Sequence, residues 1–429
     1  MRASRLAAAS LAGFVIAGVA VPTAVAADAP ARAAGPAALA ASSTATVHTV
    51  QGLSLRLPAP QGRYATGEST FRLVDDKRAD PWVPTQPYRE LMISVFYPAS
   101  HTGHHATTNQ FPKAVADAVG PALEGNFELP PGLVDWAATR THSVADAPMA
   151  EGRFPVVLYS PGAGDARDWN VSLVEDLASR GYVVVTIDHT GEGPAVQFPD
   201  GHVVGNGPLM DLAGQAVRNG TMAQFLENLV KVRVADTRLV LDRLATLPHR
   251  LTAGMDLTRI GMFGQSGGGF TAASTMFADP RIKAGINMDG TMEYASEADG
   301  RHPSEVEQLG LDRPFLLMGS SGAGGSDVHR ELSWATFWQH QRGWKADVTL
   351  QQSEHASYTD AEALLPQLAG RVPDATLIKA IGTADPKQAR TGVTADRAVV
   401  ASFFNRFLKG HDDHLLDGGQ TGYPISVER

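Results

Sequence analysis

Short apolar segments alternate with longer amphipathic ones from Pro155 onward, and this rhythm constrains the fold more than any other feature of the chain. The apolar segments carry almost no charge, as is typical of strands buried on both faces of a sheet; they cover residues 156–160, 182–188, 260–264, 284–288, 315–319 and 347–352. Helical patterns lie between or after them, at residues 168–180, 221–247, 267–278, 331–342 and 396–408. The alternation predicts an α/β fold with a mainly parallel central sheet and helices on both of its faces.

The residues before Pro155 follow a different pattern. Alternating or apolar stretches predict antiparallel N-terminal strands at the edge of the sheet; they cover residues 51–57, 67–74 and 91–97. Two long, weakly patterned segments, at about 101–148 and 191–220, predict lid-like excursions over the surface. We expect residues 46–429 to form a single domain.

The N-terminal residues have the composition of a targeting segment. Two arginines precede an apolar run over residues 6–25, which ends in the small-residue cleavage site Ala24-Val25-Ala26. This order predicts a secretory signal peptide over residues 1–26, cleaved near Ala26, and hence a secreted protein. A membrane anchor is the alternative, because the run is nearly long enough to span a bilayer. Residues 27–45, rich in Ala, Gly, Pro and Ser, are expected to form a disordered spacer.

Composition excludes several classes of function. The 429-residue chain contains no cysteine, which excludes disulfides and thiolate chemistry. Its formal net charge of -9 argues against nucleic acid or an anionic membrane as the main partner. His101, His104 and His105 could bind a metal, but no carboxylate lies close to them in sequence, so we expect a solvated loop and no metal.

The residues Gly264-Gln265-Ser266-Gly267-Gly268 join the end of one predicted strand to the start of a predicted helix. The chain contains 43 glycines, so the pattern Gly-x-Ser-x-Gly carries little weight without the strand before it and the helix after it. A turn sharp enough to present a serine at such a junction requires small neighbours, which the glycines provide. We therefore predict that Ser266 is the nucleophile of a hydrolase that needs no metal and no organic cofactor.

Backbone N–H groups near Ser266 would stabilise the oxyanion that its attack creates. The following helix supplies the N–H of Gly267 at its N-terminus. Functional groups collect at the carboxyl ends of parallel strands, and the turn Ser160-Pro161-Gly162-Ala163-Gly164 directly follows the strand at 156–160. We predict that the N–H of Ala163 is the second donor, and an ordinary Pro-Gly loop is the alternative for this turn.

A base must take the proton of the serine hydroxyl, and a histidine on a loop after a later strand is the expected group. His355 lies in the loop after the strand at 347–352. His189 also follows a strand but precedes Ser266 in the chain. A chain order of serine before histidine favours His355.

An acid must orient the imidazole and stabilise its cationic form. Asp289 ends the strand at 284–288, whereas Asp327 lies in a Gly-rich loop after the strand at 315–319. Most hydrolases of this architecture place the acid after the later strand, which favours Asp327. The rigid strand end favours Asp289, although an Asp-Gly pair is also a common turn. Position alone leaves the two acids nearly even.

Together these motifs resemble the plasma type of platelet-activating factor acetylhydrolase and its bacterial secreted lipase and esterase relatives, which are α/β-hydrolases. The resemblance spans about residues 88–408 and rests on the stretches 157–164 and 181–189, the Ser266 turn, Asp289 and His355. It implies a serine esterase or lipase whose acid is Asp289, because the family's acid follows the strand next after the nucleophile helix. It likewise implies that Ala163 and Gly267 donate to the oxyanion.

The resemblance also bears on the substrate. It implies a carboxylic ester, including the sn-2 acyl ester of phospholipids with short or oxidised chains, and a transient contact with lipid surfaces. Family members usually carry a bulky residue where Gly267 stands, and a Ser-His-Gly or His-Gly turn where this chain has Ser160-Pro161-Gly162, so we expect a roomier floor beside Ser266. Apolar residues of the two excursions would either line an acyl channel or pack the loops down: Phe111, Phe127, Leu133, Trp136, Phe198 and Leu209. A polyester hydrolase, a peptidase and a non-catalytic binding protein on the same scaffold are the alternatives.

Overall fold

The structure is a computed structural model of the chain, and it describes residues 52–100, 102–103, 105–297 and 300–429. The predicted signal peptide, residues 1–26, and the spacer, residues 27–45, lie outside the described residues. His101 and His104 also lie outside them, and His105 is exposed. Within these ranges, no helix combines the length and the apolar character that a membrane crossing requires.

A large mixed sheet organises the molecule. The described residues form fifteen strands: β1 (Ala65–Asp75), β2 (Arg89–Ala99), β3 (Thr107–Asn109), β4 (Arg140–Ala145), β5 (Phe154–Ser160), β6 (Val183–Asp188), β7 (Val196–Gln197), β8 (Val203–Val204), β9 (Met255–Gln265), β10 (Ile282–Met288), β11 (Glu293–Glu297), β12 (Gly300–Pro303), β13 (Phe315–Ser320), β14 (Lys345–Leu350) and β15 (Ile425–Glu428). Eleven of them form one sheet in the order β15-β14-β13-β10-β9-β5-β6-β2-β1-β4-β3, and two hairpins, β7–β8 and β11–β12, stand apart.

The centre of the large sheet is parallel. Strands β6, β5, β9, β10, β13 and β14 run in the same direction. Strand β2 pairs antiparallel with β6 and with β1, and β15 pairs antiparallel with β14. The six predicted parallel strands and the antiparallel strands predicted at 67–74 and 91–97 are therefore confirmed, with ends that differ by a few residues.

Helices cover both faces of this sheet. In chain order they are α1 (Lys113–Asn126), α2 (Val171–Ser179), α3 (Gly207–Asn219), α4 (Met222–Arg243), α5 (His249–Thr252), α6 (Gly267–Ala278), α7 (Glu305–Leu309), α8 (Leu332–His340), α9 (Ala361–Leu364), α10 (Asp374–Ile381) and α11 (Pro386–Lys409). Alternate residues of β5 enter opposite cores: Val157 and Tyr159 join the core with α2 and α11, whereas Val156 and Leu158 join the core with α4, α6 and α8. This two-sided burial is why the strands read as continuous apolar runs.

The segment at 101–148 differs from the expected surface excursion. Strands β3 and β4 extend the sheet beyond β1, and α1 lies between them in sequence. Phe111 is 0 % exposed and Trp136 is 4 % exposed, and the rings of both lie against Trp169. These aromatic side chains belong to the main core, so they stabilise the fold instead of lining an open channel.

Two other segments, residues 51–57 and 191–220, were also predicted from the sequence. The described part of 51–57 forms an isolated bridge between Leu53 and Val134 instead of a strand. Residues 191–220 contain the β7–β8 hairpin and α3. Leu209 on α3 is buried against α4, so this excursion is a structured element beside the carboxyl edge of the sheet.

Candidate active site

Ser266 lies at the junction of β9 and α6 in a conformation that few non-glycine residues adopt. Its φ is 54° and its ψ is -125°, which costs about 1–3 kcal/mol unless the surroundings hold it in place. The N–H of Ser266 donates to the carbonyl oxygen of Met288 at 2.7 Å, and its carbonyl oxygen accepts from the N–H of Gly269 at 2.9 Å. These bonds anchor the turn to β10 and α6, and the side chain is half-buried among fully buried neighbours.

The glycines around Ser266 are required by close backbone contacts. A Cβ on Gly264 would lie 2.2 Å from the carbonyl carbon of Gly268, and a Cβ on Gly268 would lie 1.9 Å from the carbonyl oxygen of Ser160. Real carbon atoms do not approach so closely, so a side chain at either position would push the turn open. The glycine pattern thus has a physical cause in this fold: it brings β5, β9 and α6 together at one point.

Asp289 and His355 meet at the same edge of the sheet. Asp289 directly follows β10 with a φ of 58°, and its Oδ2 lies 2.8 Å from Nδ1 of His355. His355 begins a short turn after β14, and Nε2 of the Gln265 side chain donates to its carbonyl oxygen at 3.3 Å. The histidine backbone is therefore tied to the residue that precedes Ser266.

Hydrogen bonds from β13 and its following loop hold the Asp289 carboxylate. Its Oδ1 accepts from the backbone N–H groups of Ser320 at 3.1 Å and Ser326 at 3.0 Å, and its Oδ2 accepts from the Ser320 hydroxyl at 2.9 Å. Trp334 Nε1 donates to the carbonyl oxygen of Gly290 at 2.7 Å, which fixes the turn beyond the acid. These supporting groups were not predicted from the sequence, although a serine at the end of β13 is a detectable signal.

The charges of this pair shift both pKa values. Burial acts to raise the pKa of Asp289, but the hydrogen bond and charge of His355, with the N–H groups of Ser320 and Ser326, lower it below its ordinary value. Burial acts to lower the pKa of His355, but the hydrogen bond and charge of Asp289 raise it above its ordinary value. A carboxylate can only accept, so Nδ1 of His355 carries the hydrogen and Nε2 is left to accept a proton.

Asp327 has different partners. Its Oδ1 accepts from the backbone N–H groups of His329 at 2.8 Å and Arg330 at 2.9 Å, and its Oδ2 is paired with the Arg330 guanidinium. These bonds close the turn that precedes α8. Position in the sequence favoured neither Asp289 nor Asp327 as the partner of His355. In the structure, Asp289 is the one that bonds to His355.

His189 belongs to a second array of serine, histidine and aspartate. Its Nε2 lies 2.9 Å from Oγ of Ser160, and its Nδ1 lies 3.2 Å from Oδ2 of Asp236. All three side chains are at most 3 % exposed, and Arg89 donates to Asp236 at 2.7 Å. Burial and the nearby charge of Arg233 lower the pKa of His189, so its imidazole is neutral. These three buried residues are bonded to one another at the end of β5. His355, and not His189, is the histidine bonded to the Ser266 turn.

The turn after β5 approaches the Ser266 turn from the neighbouring strand. A Cβ on Gly162 would lie 2.5 Å from Oε1 of Gln265, so the two turns are in direct contact. Ala163 is half-buried, and Gly267 is buried at the N-terminus of α6. The N–H groups at the start of a helix lack intrahelical partners and carry partial positive charge, which suits them to an oxyanion.

Asp165, directly after this turn, is a further titratable group of the site and was not predicted from the sequence. Burial raises its pKa to about 6, while the positive charges of His355 and Arg233 act to lower it. A carboxyl with this pKa changes charge close to the pH range in which an unperturbed histidine titrates.

An apolar cluster lies beside the turn. Ala163 and Tyr294 pack against buried side chains of α3, α4 and the loop before β2, which are Trp82, Leu209, Ala213, Ala216, Phe225, Leu226 and Leu229. An acyl or aryl group next to the predicted oxyanion donors would meet the partly exposed side chains at the edge of this cluster, those of Ala163 and Tyr294.

One group of side chains in the described part of the chain could approach a metal ion. Asp412, His414 and Asp417 bring ligand atoms within 4.8 Å of one another. The group is on the surface, and Asp417 already pairs with Arg406 at 2.8 Å and with Arg429 at 2.6 Å. We assign no metal to it.

The mainly parallel sheet, the helices on its two faces and the strained serine turn at its carboxyl edge define an α/β-hydrolase. Comparison with known proteins identifies the family. Residues 54–198 match the family model for platelet-activating factor acetylhydrolase, isoform II. Over 399 residues the chain is 30 % identical to a probable 1-alkyl-2-acetylglycerophosphocholine esterase of Arthroderma benhamiae, covering 87 % of this chain and 94 % of that relative. The chain belongs to the platelet-activating factor acetylhydrolase family, and it is a serine hydrolase that acts on ester bonds.

Two further relatives mark the range of this similarity. A platelet-activating factor acetylhydrolase of Cavia porcellus is 26 % identical over 164 residues, which is 34 % of this chain and 37 % of that one. Among solved structures, a ferulic acid esterase from Streptomyces cinnamoneus matches with a TM-score of 0.70 and 32 % identity, covering 88 % of this chain and all of that one. The predicted resemblance and the predicted fold are confirmed.

Proposed function

We propose that Ser266, His355 and Asp289 form the catalytic triad of this esterase. The bond of 2.8 Å between Asp289 and His355, next to a serine held at positive φ, is the observation that carries the proposal. Asp289 holds the imidazole as the tautomer with its proton on Nδ1, so Nε2 can take the proton of the Ser266 hydroxyl. Ser266 Oγ then attacks the ester carbonyl.

The N–H groups of Ala163 and Gly267 stabilise the tetrahedral oxyanion. His355 returns the proton to the leaving alcohol, and an acyl group remains on Ser266. His355 then deprotonates a water molecule, which attacks the acyl carbonyl and forms a second oxyanion at the same two donors. The bond between Ser266 Oγ and the acyl carbon breaks, His355 returns the proton to Oγ, and the carboxylic acid leaves. Both halves of the reaction therefore depend on the same hydrogen bonds.

The sn-2 acyl ester of a phospholipid with a short or oxidised chain is the substrate that we favour. A relative matched over 87 % of this chain bears the name of a probable 1-alkyl-2-acetylglycerophosphocholine esterase, and the partly exposed side chains at the edge of the apolar cluster beside Ala163 offer a surface for a small acyl group. Contact with a lipid surface would be transient. The excursion at 191–220, which contributes α3 to this cluster, would act as the lid.

An ester of an aromatic acid is a second candidate. A solved structure that matches this chain is a ferulic acid esterase, and the half-buried ring of Tyr294 packs against the cluster beside Ala163. Such a surface would also accept the flat ring of a hydroxycinnamoyl group.

We further propose that the protein is exported. The two arginines, the apolar run and the small-residue site that ends at Ala26 support a cleaved signal peptide. N-terminal sequencing of the protein recovered from culture medium would test this, and an intact Met1 on membrane-bound material would contradict it.

A substrate panel tests the activity. Purified protein would be assayed with 1-alkyl-2-acetylglycerophosphocholine, p-nitrophenyl esters of graded chain length, methyl ferulate and a peptide. We expect short acyl esters to give the highest kcat/KM, Ser266→Ala to abolish turnover, and a fluorophosphonate probe to label Ser266. Turnover by a folded Ser266→Ala variant would refute the assignment of the nucleophile, and a preference for methyl ferulate would favour the second candidate.

A further inference from the structure

Arg233 is buried beneath the turn that carries Ala163. It lies on α4, its side chain is 1 % exposed, and its Nε donates to Oε2 of Glu192 at 2.7 Å. Its Nη1 donates to the carbonyl oxygen of Pro161 at 2.8 Å, and its Nη2 donates to that of Gly162 at 3.1 Å. One guanidinium thus binds two consecutive carbonyl groups of the turn while a buried carboxylate balances its charge.

The bond from Arg233 to Gly162, together with the N–H of Asp165, which donates to the same carbonyl oxygen at 3.1 Å, fixes the direction of the Ala163 N–H. The carbonyl of Gly162 and the N–H of Ala163 belong to one planar trans peptide unit, so the two groups point in opposite directions. A cation that holds the carbonyl oxygen from below directs the N–H to the opposite side of the turn. Drawing electron density toward that oxygen also makes the N–H a stronger donor.

Lysine could not reproduce this geometry. The guanidinium is a planar group with five donors, and here three of its nitrogens are engaged at once by Glu192, Pro161 and Gly162. An ammonium group on a shorter stem offers a point charge without the fork. Arginine is therefore the side chain that can hold both carbonyls in one plane.

A second buried chain secures the residue before the turn. The Ser160 hydroxyl donates to Nε2 of His189, whose Nδ1–H donates to Asp236. Arg233 and Asp236 are three residues apart on α4 and so project from the same side of the helix. One face of α4 therefore supports both the start of the turn and its two central carbonyls.

We propose that Arg233 is a positioning residue for the oxyanion hole, orienting the Ala163 N–H through the Gly162 carbonyl. This inference rests on the proposed function, in which Ala163 is an oxyanion donor. It assigns to α4 a role in transition-state stabilisation, with Glu192 neutralising the buried cation.

The test compares Arg233→Met with Arg397→Met. Arg397 is a matched control because it is also buried and donates to three backbone carbonyls, those of Pro58, Ala59 and Ser172, none of which belongs to the turn. For each variant kcat and KM would be measured with p-nitrophenyl acetate, together with the Ki of a short alkyl trifluoromethyl ketone, which forms an oxyanion when serine adds to it. Circular dichroism and thermal melts would establish folding.

We expect Arg233→Met to lower kcat by about 10²-fold, the usual loss for one oxyanion donor. Its KM should stay nearly unchanged, because acylation and deacylation both slow, and the ketone Ki should rise by a similar factor. Arg233→Lys should give kcat and ketone Ki values between those of the wild type and Arg233→Met. It replaces the Met variant in the test if Arg233→Met does not fold. A kcat loss no larger than that of Arg397→Met, or a loss without weaker ketone binding, would overturn the proposal.

Labelling of wild-type Ser266 by a fluorophosphonate separates this proposal from the proposed function. If Ser266 is labelled and Arg233→Met behaves like the control, the positioning role alone fails. If wild-type Ser266 is not labelled, the assigned nucleophile fails and the positioning role fails with it.

Discussion

Replacing Asp289 with asparagine changes one oxygen of the site to an amide nitrogen, and the surrounding bonds determine which one. Oδ1 accepts two backbone N–H groups, from Ser320 and Ser326, so the asparagine oxygen stays there. The amide nitrogen must then take the place of Oδ2, facing the Ser320 hydroxyl and Nδ1 of His355. Because this nitrogen is a donor, Nδ1 must become an acceptor and the imidazole proton moves to Nε2.

A histidine with its proton on Nε2 cannot accept the Ser266 proton. The same carboxylate-to-amide change in a well-studied serine protease lowers kcat by about 10⁴-fold, with the geometry intact. We expect a loss of this size here, equivalent to about 5.4 kcal/mol in activation free energy. The fold should persist, because all four side-chain hydrogen bonds of residue 289 have an amide equivalent, two of them with donor and acceptor exchanged.

The matched control is Asp327→Asn. The asparagine oxygen can still accept from the N–H groups of His329 and Arg330, and the partly exposed ion pair with Arg330 contributes at most about 1 kcal/mol to stability. We expect kcat with p-nitrophenyl acetate to remain at the wild-type level in this variant. The reasoning fails if Asp289→Asn keeps more than a tenth of the wild-type kcat, or if Asp327→Asn loses as much.

Three further predictions concern packing and pH. Gly268→Ala should lower the free energy of unfolding by about 3 kcal/mol or more, because the new Cβ would meet the carbonyl oxygen of Ser160. Gly324 has open space around it, so Gly324→Ala should leave the free energy of unfolding unchanged. Chemical denaturation measures both. His355 must be neutral to act as the base, and Asp289, Asp165 and Glu354 together raise its pKa. Asp165→Asn should therefore shift the acid limb of the profile of kcat/KM against pH to lower pH. An unmoved limb would exclude an effect of Asp165 on the pKa of His355. Burial raises the pKa of Glu362 to about 8, so at this residue the folded state binds more protons than the unfolded state between about pH 4.5 and 8. Glu362 should therefore lower the free energy of unfolding as pH rises through that window, by at most about 1.4 kcal/mol per pH unit. Glu362→Gln should remove this contribution to the slope of stability against pH.

Local sequence patterns were sufficient to predict the central sheet and the helices around it. The central strands are buried on both faces, so they read as apolar runs, and their alternation with helices predicted the parallel sheet. The turn at Ser266 was recognisable because its glycines stand between a predicted strand and a predicted helix that follow each other in the sequence. The contact that requires Gly268, with the carbonyl oxygen of Ser160, is not local. His355 was a candidate because its strand could be placed in the order of the sheet.

Other features depend on contacts between residues far apart in the chain. His355 and Asp289 are 66 positions apart, and Arg233 and Pro161 are 72 apart. Whether a segment forms a strand of the sheet, as β3 and β4 do, or a surface loop depends on which neighbouring strand it meets. The periodicity of a weakly patterned segment does not contain that information.

The sequence by itself determined the α/β class, the serine turn and the short set of candidate bases and acids, because strand burial and turn sterics leave local traces. Only the tertiary structure showed that Asp289, the acid that the family resemblance implied, bonds to His355, that His189 bonds to Ser160, and that Arg233 supports the turn carrying Ala163. The physical reason is that hydrogen bonds of buried polar groups are directional and reach only about 3 Å. Their partners are set by how the strands and helices assemble, which no local pattern specifies.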